Sequence, residues 1–120
     1  MERDMPSIEQ LTDDIRRFTE ERDWDQFHSP KNLSMALAVE ASEIMEILQW
    51  LTEEQSKNLS EEKMAELTNE LADVTIYLVR LADKLGIDLF SAAAAKIARN
   101  KEKYPADKVR GSAEKYNEYD

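Results

Sequence analysis

Residues 33–48 read LSMALAVEASEIMEIL, a segment with apolar side chains on almost every side of a helix and three acidic side chains among them, Glu40, Glu43 and Glu46. At about 100° per residue, Glu40 and Glu43 fall in one sector of that helix. The apolar residues of the same sector are Leu33, Ala36, Leu37, Ile44 and Ile47. Because a helix that is apolar almost all round is normally buried, the segment predicts a buried helix that carries the carboxylates of Glu40 and Glu43.

A second segment repeats this arrangement later in the chain. Residues 67–81 read LTNELADVTIYLVRL, and Glu70 and Asp73 share a helical sector whose other members are mainly apolar. Basic residues are sparse in both segments, and burying these four carboxylates unpaired would be costly. A hard divalent cation with all-oxygen ligands, magnesium or manganese, is the best counter-charge. Because magnesium commonly shares its ligand shell with substrate phosphates, the acids predict a polyphosphate substrate.

The acid pairs have other interpretations, which the sequence alone leaves open. An E-x-x-E pattern on a helix is common by chance and usually lies on a solvent-exposed face. The remaining glutamates fit that interpretation best, although Glu46 is also placed to act as a further ligand. A non-enzymatic helical module that only oligomerises would also contain helices that are apolar on many sides. A metal-dependent gain in thermal stability would separate the enzyme from such a module.

Composition and capping residues predict an all-α fold in one domain. The commonest residues favour helices, and the 120 residues include only two Gly and three Pro. Helix boundaries are marked by Ser7, Ser29-Pro30, Ser60, Gly86 and Asp88. The predicted helices cover about residues 7–22, 30–51, 60–85 and 88–104, with a connector at 23–29 and a polar loop at 52–59. We expect a four-helix bundle within residues 1–120, with a helical core at about 7–104 and a polar tail at 105–120.

Charge and residue usage exclude several classes of function. The net charge of −10 argues against a protein that binds nucleic acid through its phosphates. The absence of cysteine excludes disulfides, thiolate nucleophiles and cysteine-ligated metals, and it is consistent with a cytoplasmic location. No apolar run approaches the roughly 20 residues of a membrane span, and residues 1–5 lack the apolar core of a signal peptide. We therefore expect a cytoplasmic protein with neither a nucleic-acid nor a membrane partner.

Aromatic and basic residues outside the acid pairs are the candidates for substrate contacts. Trp24 and Trp50 can stack on a base, although tryptophans in a small helical bundle are more often core anchors. His28, the one histidine, is a further candidate, although such a residue is more often a local hydrogen-bonding partner. A polar stripe on the fourth helix either meets phosphate oxygens or is an ordinary solvated helix end. That stripe consists of Lys96, Asn100, Lys103 and Tyr104.

Several of these segments together resemble a known family. Glu40-Ala-Ser-Glu43, followed after a 26-residue gap by Glu70-Leu-Ala-Asp73, resembles the E-x-x-E…E-x-x-D signature of the all-α nucleoside triphosphate pyrophosphatases, the MazG-like superfamily. Further segments resemble its dCTP pyrophosphatase branch. They are ERDWDQFH at 21–28, PKNL at 30–33, LQW at 48–50, DVTIY at 73–77, and Asn100 with Tyr104-Pro105. The likeness extends over roughly residues 8–116, nearly the whole chain.

The resemblance implies an activity, a metal and a set of site residues. Members cleave between the α and β phosphates, which yields a nucleoside monophosphate and pyrophosphate, and they bind magnesium through the two acid pairs. The expected ligands are therefore Glu40, Glu43, Glu70 and Asp73. Trp24 and Trp50 match positions around the base. The positions that line the sugar and phosphates are matched by Tyr77, Lys96, Asn100 and Tyr104.

Base preference and assembly are less closely defined. Some members place a histidine of the first helix near the base, whereas the matching stretch here is Ile15-Arg16-Arg17. The choice therefore stays open between dCTP or a modified dCTP and dUTP or another non-canonical triphosphate, and each would suit an enzyme that sanitises the nucleotide pool.

Members of the family form dimers or tetramers, and the apolar faces of the second and third helices independently predict at least a dimer.

Metal-assisted hydrolysis is the chemistry that we expect. Glu43 is the expected general base, which takes a proton from the water that attacks the phosphorus. Lys96, together with Lys101 or Lys103, is expected to meet the charge that develops on the phosphates. Bound magnesium would neutralise the same phosphates and hold the attacking water.

Overall fold

The computed structural model describes residues 5–112, and every regular element within that range is helical. The helices are α1 (Ile8–Glu21), α2 (Pro30–Leu48), α3 (Glu53–Ser56), α4 (Glu61–Leu85), α5 (Leu89–Lys103) and α6 (Ala106–Val109), with a 3₁₀ turn at Asp25–Phe27. The prediction of an all-α fold with four long helices is confirmed. Among the described residues, no helix combines the length and the apolar character needed to cross a membrane.

The chain divides into two compact units, residues 1–87 and residues 88–120. The described part of the first unit contains α1 to α4 and both acid pairs, and that of the second contains α5 and α6. Residues 1–4 and 113–120 lie outside the described range, so the polar tail predicted at 105–120 is described only as far as residue 112. The organisation as a single domain stays a prediction.

Helix α4 is the centre of the first unit. It packs mainly on α2 and also contacts α1. Among the described residues, the buried apolar side chains are few: Leu33 is 1% exposed, and Ile15, Val79 and Ala82 are the others. Many large apolar residues of the same helices remain exposed, among them Met35, Val39, Met45, Met64, Leu71 and Leu78. The first unit therefore buries little of its apolar surface by itself.

The helix boundaries follow from local capping chemistry. The Ser7 hydroxyl accepts from the Gln10 N–H at 3.1 Å, and the Gln10 side chain accepts from the Ser7 N–H at 2.8 Å, which forms a capping box. Ser29 caps α2, whose first residue is proline. Gly86 ends α4 with φ +67°, a left-handed conformation that glycine adopts without a steric penalty. These predicted boundaries are confirmed.

Two boundary predictions were wrong. Residues 52–59 are not simply a polar loop, because the one-turn helix α3 lies within them. Thr52 and Gln55 form a second capping box there, a T-x-x-Q signal that the sequence interpretation missed. Helix α2 ends at Leu48, about one turn before the predicted end, because Thr52 adopts the extended backbone of an N-cap residue.

Candidate active site

Acidic side chains of α2 and α4 meet in the first unit. One carboxylate oxygen from each of Glu40, Glu43 and Glu70 lies within 4.8 Å of the other two, and all three side chains are half-buried. Glu43 lies beside Glu70, whereas Glu46, further along α2, shares a pocket with Lys63 near the start of α4. This order shows that α2 and α4 run antiparallel. The structure thus brings three of the four predicted metal ligands into one cluster.

Asp73, the fourth predicted ligand, lies beside this cluster. It follows Glu70 by three residues, on the same face of α4, and is half-buried. It is outside the 4.8 Å group, but its charge reaches Glu40. Burial is the main cause that raises the pKa of Glu40, and the charges of Glu43 and Asp73 raise it further. The four acids therefore act as one electrostatic group.

Two carboxylate oxygens in the cluster are buried and lack a hydrogen-bond partner among the described residues. They are Oε2 of Glu40 and Oε2 of Glu70, one from each helix. An unsatisfied buried acceptor is costly, and the cost is greater when it carries charge. Carboxylate oxygens are the ligand atoms that magnesium, manganese and calcium prefer. The cluster therefore fits a hard divalent cation, which would satisfy both oxygens and offset their repulsion.

Crowding of the carboxylates changes the acidity of Glu70. The neighbouring Glu43 carboxyl is the main cause that raises the pKa of Glu70 to about 7, followed by burial and by the Glu40 carboxyl. Without a cation, the cluster therefore retains a proton close to neutral pH. A bound cation would displace that proton.

A pocket of about 340 Å³ extends the cluster away from Asp73. Glu43 and Glu70 form one side of it, and Glu46, Glu66 and Lys63 complete its polar lining. Glu46 is therefore near the cluster, as a further ligand would be, but it lies outside the 4.8 Å group. The sequence interpretation did not assign Lys63, which brings a positive charge to the wall of this pocket.

A second cavity, of about 380 Å³, lies between α1, α4 and the segment that joins α1 to α2. Four of the residues proposed from the sequence line it: Trp24, His28, Asp73 and Tyr77. The rest of the lining is largely apolar, with Leu11, Ile15, Phe18 and Ile76 as its main contributors. Since Asp73 belongs both to this lining and to the acid group, an aromatic cavity and a candidate cation site adjoin each other.

The two tryptophans have different surroundings. Trp24 is 43% exposed and makes an edge-to-face contact with Phe18, with the ring centroids 5.6 Å apart. Trp50 is 84% exposed, lies just beyond the end of α2 and is not part of the cavity lining. Within the first unit, neither ring is a buried core anchor. Trp24 is available to stack on a ligand in the cavity, while the role proposed for Trp50 stays a prediction.

Arg80 is a cavity residue that the sequence interpretation missed. Its side chain is 5% exposed, and its Nη2 donates to Oδ1 of Asp25 at 2.6 Å. Its Nε donates to Nδ1 of His28 at 3.3 Å, and Nη1 lies 3.5 Å from Oδ2 of Asp83. Helical spacing places Arg80 on the face of Asp73 and Tyr77, but spacing alone does not show that the arginine is buried.

The contact with Arg80 defines the protonation state of His28. Burial is the main cause that lowers the pKa of His28, and the Arg80 charge lowers it further. The ring is therefore neutral at pH 7 and, because Nδ1 accepts from Arg80, its proton is on Nε2. His28 thus provides one N–H donor at the wall of the cavity. The hydrogen bond joins residues that are 52 apart in the chain, so it is not the local bond that the sequence suggested, and His28 lies in the cavity lining as well.

The basic residues proposed for phosphate contacts belong to the second unit. Lys96 and Asn100 lie four residues apart on α5 and are exposed, and Lys103 is the last residue of that helix. Tyr104 follows as the C-cap residue, and its backbone N–H donates to the Asn100 carbonyl at 2.8 Å. The stripe therefore lies on one helix as expected. Its contact with phosphate stays a prediction.

Comparisons of sequence and of fold with known proteins find relatives of the same kind. The sequence profile of the MazG-like family matches residues 35–119. Over 118 residues, the chain is 43% identical to dCTP pyrophosphatase 1 of Homo sapiens, which covers 93% of this chain and 69% of the human protein. The protein of the same name from Bos taurus is 42% identical, with 93% and 70% covered. A crystal structure of a pyrophosphatase from Archaeoglobus fulgidus is similar with a TM-score of 0.79 and 34% identity, covering 88% of this chain and 98% of that one.

Proposed function

The chain belongs to the MazG-like family, and we propose that it hydrolyses dCTP or a modified dCTP to the nucleoside monophosphate and pyrophosphate. Its similarity to these relatives identifies it as a nucleoside triphosphate pyrophosphatase, so the alternative of a non-enzymatic module is set aside. The observation that carries the proposal is the junction at Asp73. There, a cluster with two unpartnered carboxylate oxygens adjoins an aromatic cavity large enough to hold a base.

The acid cluster is the proposed metal site. Glu40, Glu43, Glu70 and Asp73 would hold a magnesium ion, or manganese in its place. Glu40 and Glu70 each have a buried oxygen without a partner among the described residues, Glu43 lies within 4.8 Å of both, and Asp73 lies beside this group. When bound, the ion would neutralise phosphate charge and make a water more acidic. Glu43 is the proposed general base. It lies in the cluster and also lines the adjoining pocket of about 340 Å³, through which a water would reach it.

The cavity is the proposed base site. Trp24 offers a ring face for stacking, Tyr77 lies on the same wall as Asp73, and His28 presents its N–H donor. Ile15, in the stretch that matches a histidine of some members, is 7% exposed and contributes only apolar contact. Lys96, Asn100, Lys103 and Tyr104 remain the proposed phosphate and sugar contacts. Because the first helix contributes no histidine donor, a related activity on dUTP or another non-canonical triphosphate stays as the alternative.

A nucleotide panel at fixed magnesium tests the proposed function. We expect dCTP to yield dCMP and pyrophosphate, with a kcat/KM at least about tenfold above that for the common ribonucleotides, since a missing or misplaced polar group typically costs that much. Products are identified by chromatography, with an EDTA-treated sample as the control. Formation of dCDP and inorganic phosphate would contradict a pyrophosphohydrolase, and a preference for dUTP would favour the alternative substrate.

We further propose that the enzyme is a homo-oligomer, at least a dimer. The first unit fully buries few apolar side chains and leaves large ones on α2 and α4 between 39% and 59% exposed. Monomeric proteins rarely expose apolar surface on that scale. The sequence also predicts that this pyrophosphatase acts on the nucleotide pool of the cytoplasm, and both the role and the location stay predictions.

The oligomer is tested by its dependence on concentration. We expect light scattering to give at least twice the 13.9 kDa chain mass at micromolar concentration. We also expect the melting temperature to rise with protein concentration, because association stabilises the folded state by mass action. A stable monomer whose melting temperature is independent of concentration would contradict the proposal.

A further inference from the structure

Arg80 joins two parts of the first unit that are distant in sequence. Its guanidinium bonds Asp25 and His28, which are 55 and 52 residues away along the chain. These two residues belong to the segment between α1 and α2, which also carries Trp24. The other ties of that segment are mostly local, such as the Trp24 N–H to the Thr19 carbonyl at 2.9 Å. Arg80, assisted by Lys84 on Asp25 at 2.8 Å, therefore provides the main polar tie from this segment to α4.

The tie is strong because the arginine is buried and its partners are matched to it. At 5% exposure, the charge of Arg80 depends on nearby acceptors. Asp25 supplies a carboxylate at 2.6 Å, and Asp83 supplies a second one at 3.5 Å. Removing Asp25 would leave the buried charge of Arg80 short of an acceptor, and removing Arg80 would leave Asp25 held to α4 by Lys84 alone. The position of the segment is thus coupled to this pair.

The hydrogen bonds from Arg80 to Asp25 and His28 lie beside the proposed base site. On α4, Asp73, Ile76, Tyr77 and Arg80 follow each other at helical spacing, and all four line the cavity. The opposite wall includes Trp24 and His28, which belong to the segment that Arg80 holds. The arginine therefore connects the wall that carries the stacking ring to the wall that carries the acid.

We propose that Arg80 is a positioning residue that fixes Trp24 and His28 relative to Asp73 and Tyr77, and thereby sets where the nucleotide base lies relative to the acid cluster. The inference rests on the proposed function and adds to it a determinant of substrate affinity. Arg80 makes no contact with the reacting atoms in this role. It acts through the segment that it holds and through the His28 tautomer, whose Nε2–H suits a carbonyl oxygen of a base.

Kinetics of two variants test the proposal. In both Arg80→Met and Asp25→Ala, we expect KM for dCTP to rise at least about tenfold, the usual weight of a hydrogen bond to a charged group, with kcat changed less than about threefold. The effect of the double variant on KM should be smaller than the product of the two single effects, because both variants remove the Arg80–Asp25 pair. Arg16→Met is the matched control. It removes another arginine from Asp83, at 2.7 Å, but Arg16 does not line the cavity.

Tryptophan fluorescence gives a second readout that does not depend on turnover. The chain has two tryptophans, so Trp50→Phe leaves Trp24 as the single reporter. In that background, Arg80→Met and Asp25→Ala should increase acrylamide quenching of Trp24, whereas Arg16→Met should not. The melting-temperature shift caused by magnesium alone should be the same in all variants, because the acid cluster is untouched.

The outcomes separate this proposal from the proposed function. If the wild type hydrolyses dCTP and Asp25→Ala keeps its KM and quenching, the positioning role is wrong and the function stands. If the wild type does not hydrolyse dCTP, the function is wrong, and the quenching result still decides whether Arg80 holds Trp24. Should Arg80→Met fail to fold, Asp25→Ala carries the test, since Asp25 is 57% exposed and its loss leaves no core cavity.

Discussion

Glu43→Gln is expected to lower kcat for dCTP by about 10²- to 10⁴-fold, the usual contribution of a general base. The amide keeps the shape of the side chain but cannot accept the proton of the attacking water. The fold should persist, because the change removes one negative charge from a cluster whose members repel each other. Steady-state kinetics at saturating magnesium, with a thermal melt of each protein, measure both effects.

Two comparisons make the role of Glu43 specific. Glu53→Gln changes an exposed acid on α3, away from the cluster, and should keep the wild-type kcat. Raising the magnesium concentration separates a base from a ligand, because a lost ligand is compensated by more metal and a lost base is not. Full turnover in Glu43→Gln would remove it from the mechanism. Recovery at high magnesium would assign it to metal binding.

The sequence predicted the long helices well because their signals are local. Helical periodicity, the capping box at Ser7 and the left-handed cap at Gly86 each involve residues within one or two turns. The acid cluster could also be anticipated. Glu40 with Glu43, and Glu70 with Asp73, each occupy an apolar stripe, and two such stripes bury their surface by facing each other.

The cavity could be predicted only in part because its walls come from distant segments. Trp24 and Tyr77 were proposed from the family resemblance, but nothing in the local pattern shows that they face a common space. Arg80 was missed for the same reason. A basic residue near the end of a long helix is typical of a solvated surface, and its burial depends on Asp25 and His28, more than 50 residues earlier.

Magnesium is expected to stabilise the protein, and by more at pH 8 than at pH 5.5. With magnesium at about 100 times its dissociation constant, linkage predicts a rise in melting temperature on the order of 10 °C for a chain of this size. The rise depends on pH because the Glu43 carboxyl raises the pKa of Glu70 to about 7. At pH 5.5 the cation must displace a proton, whereas at pH 8 it meets an ionised cluster. Thermal melts with EDTA or magnesium at both pH values measure the effect.

The metal-free protein should show the opposite dependence on pH. Because the folded-state pKa of Glu70 is above its ordinary value of 4.5, its contribution to stability is complete below about pH 4.5 and is lost as the pH rises through about 7. Glu70→Gln lacks this contribution, so its melting temperature in EDTA should rise relative to that of the wild type across the same interval. The comparison uses the difference between the two proteins because His28 titrates in both. If magnesium raises the melting temperature of the variant as much as that of the wild type at every pH, Glu70 is not a ligand. The buried carboxylate oxygens without hydrogen-bond partners must then have another explanation.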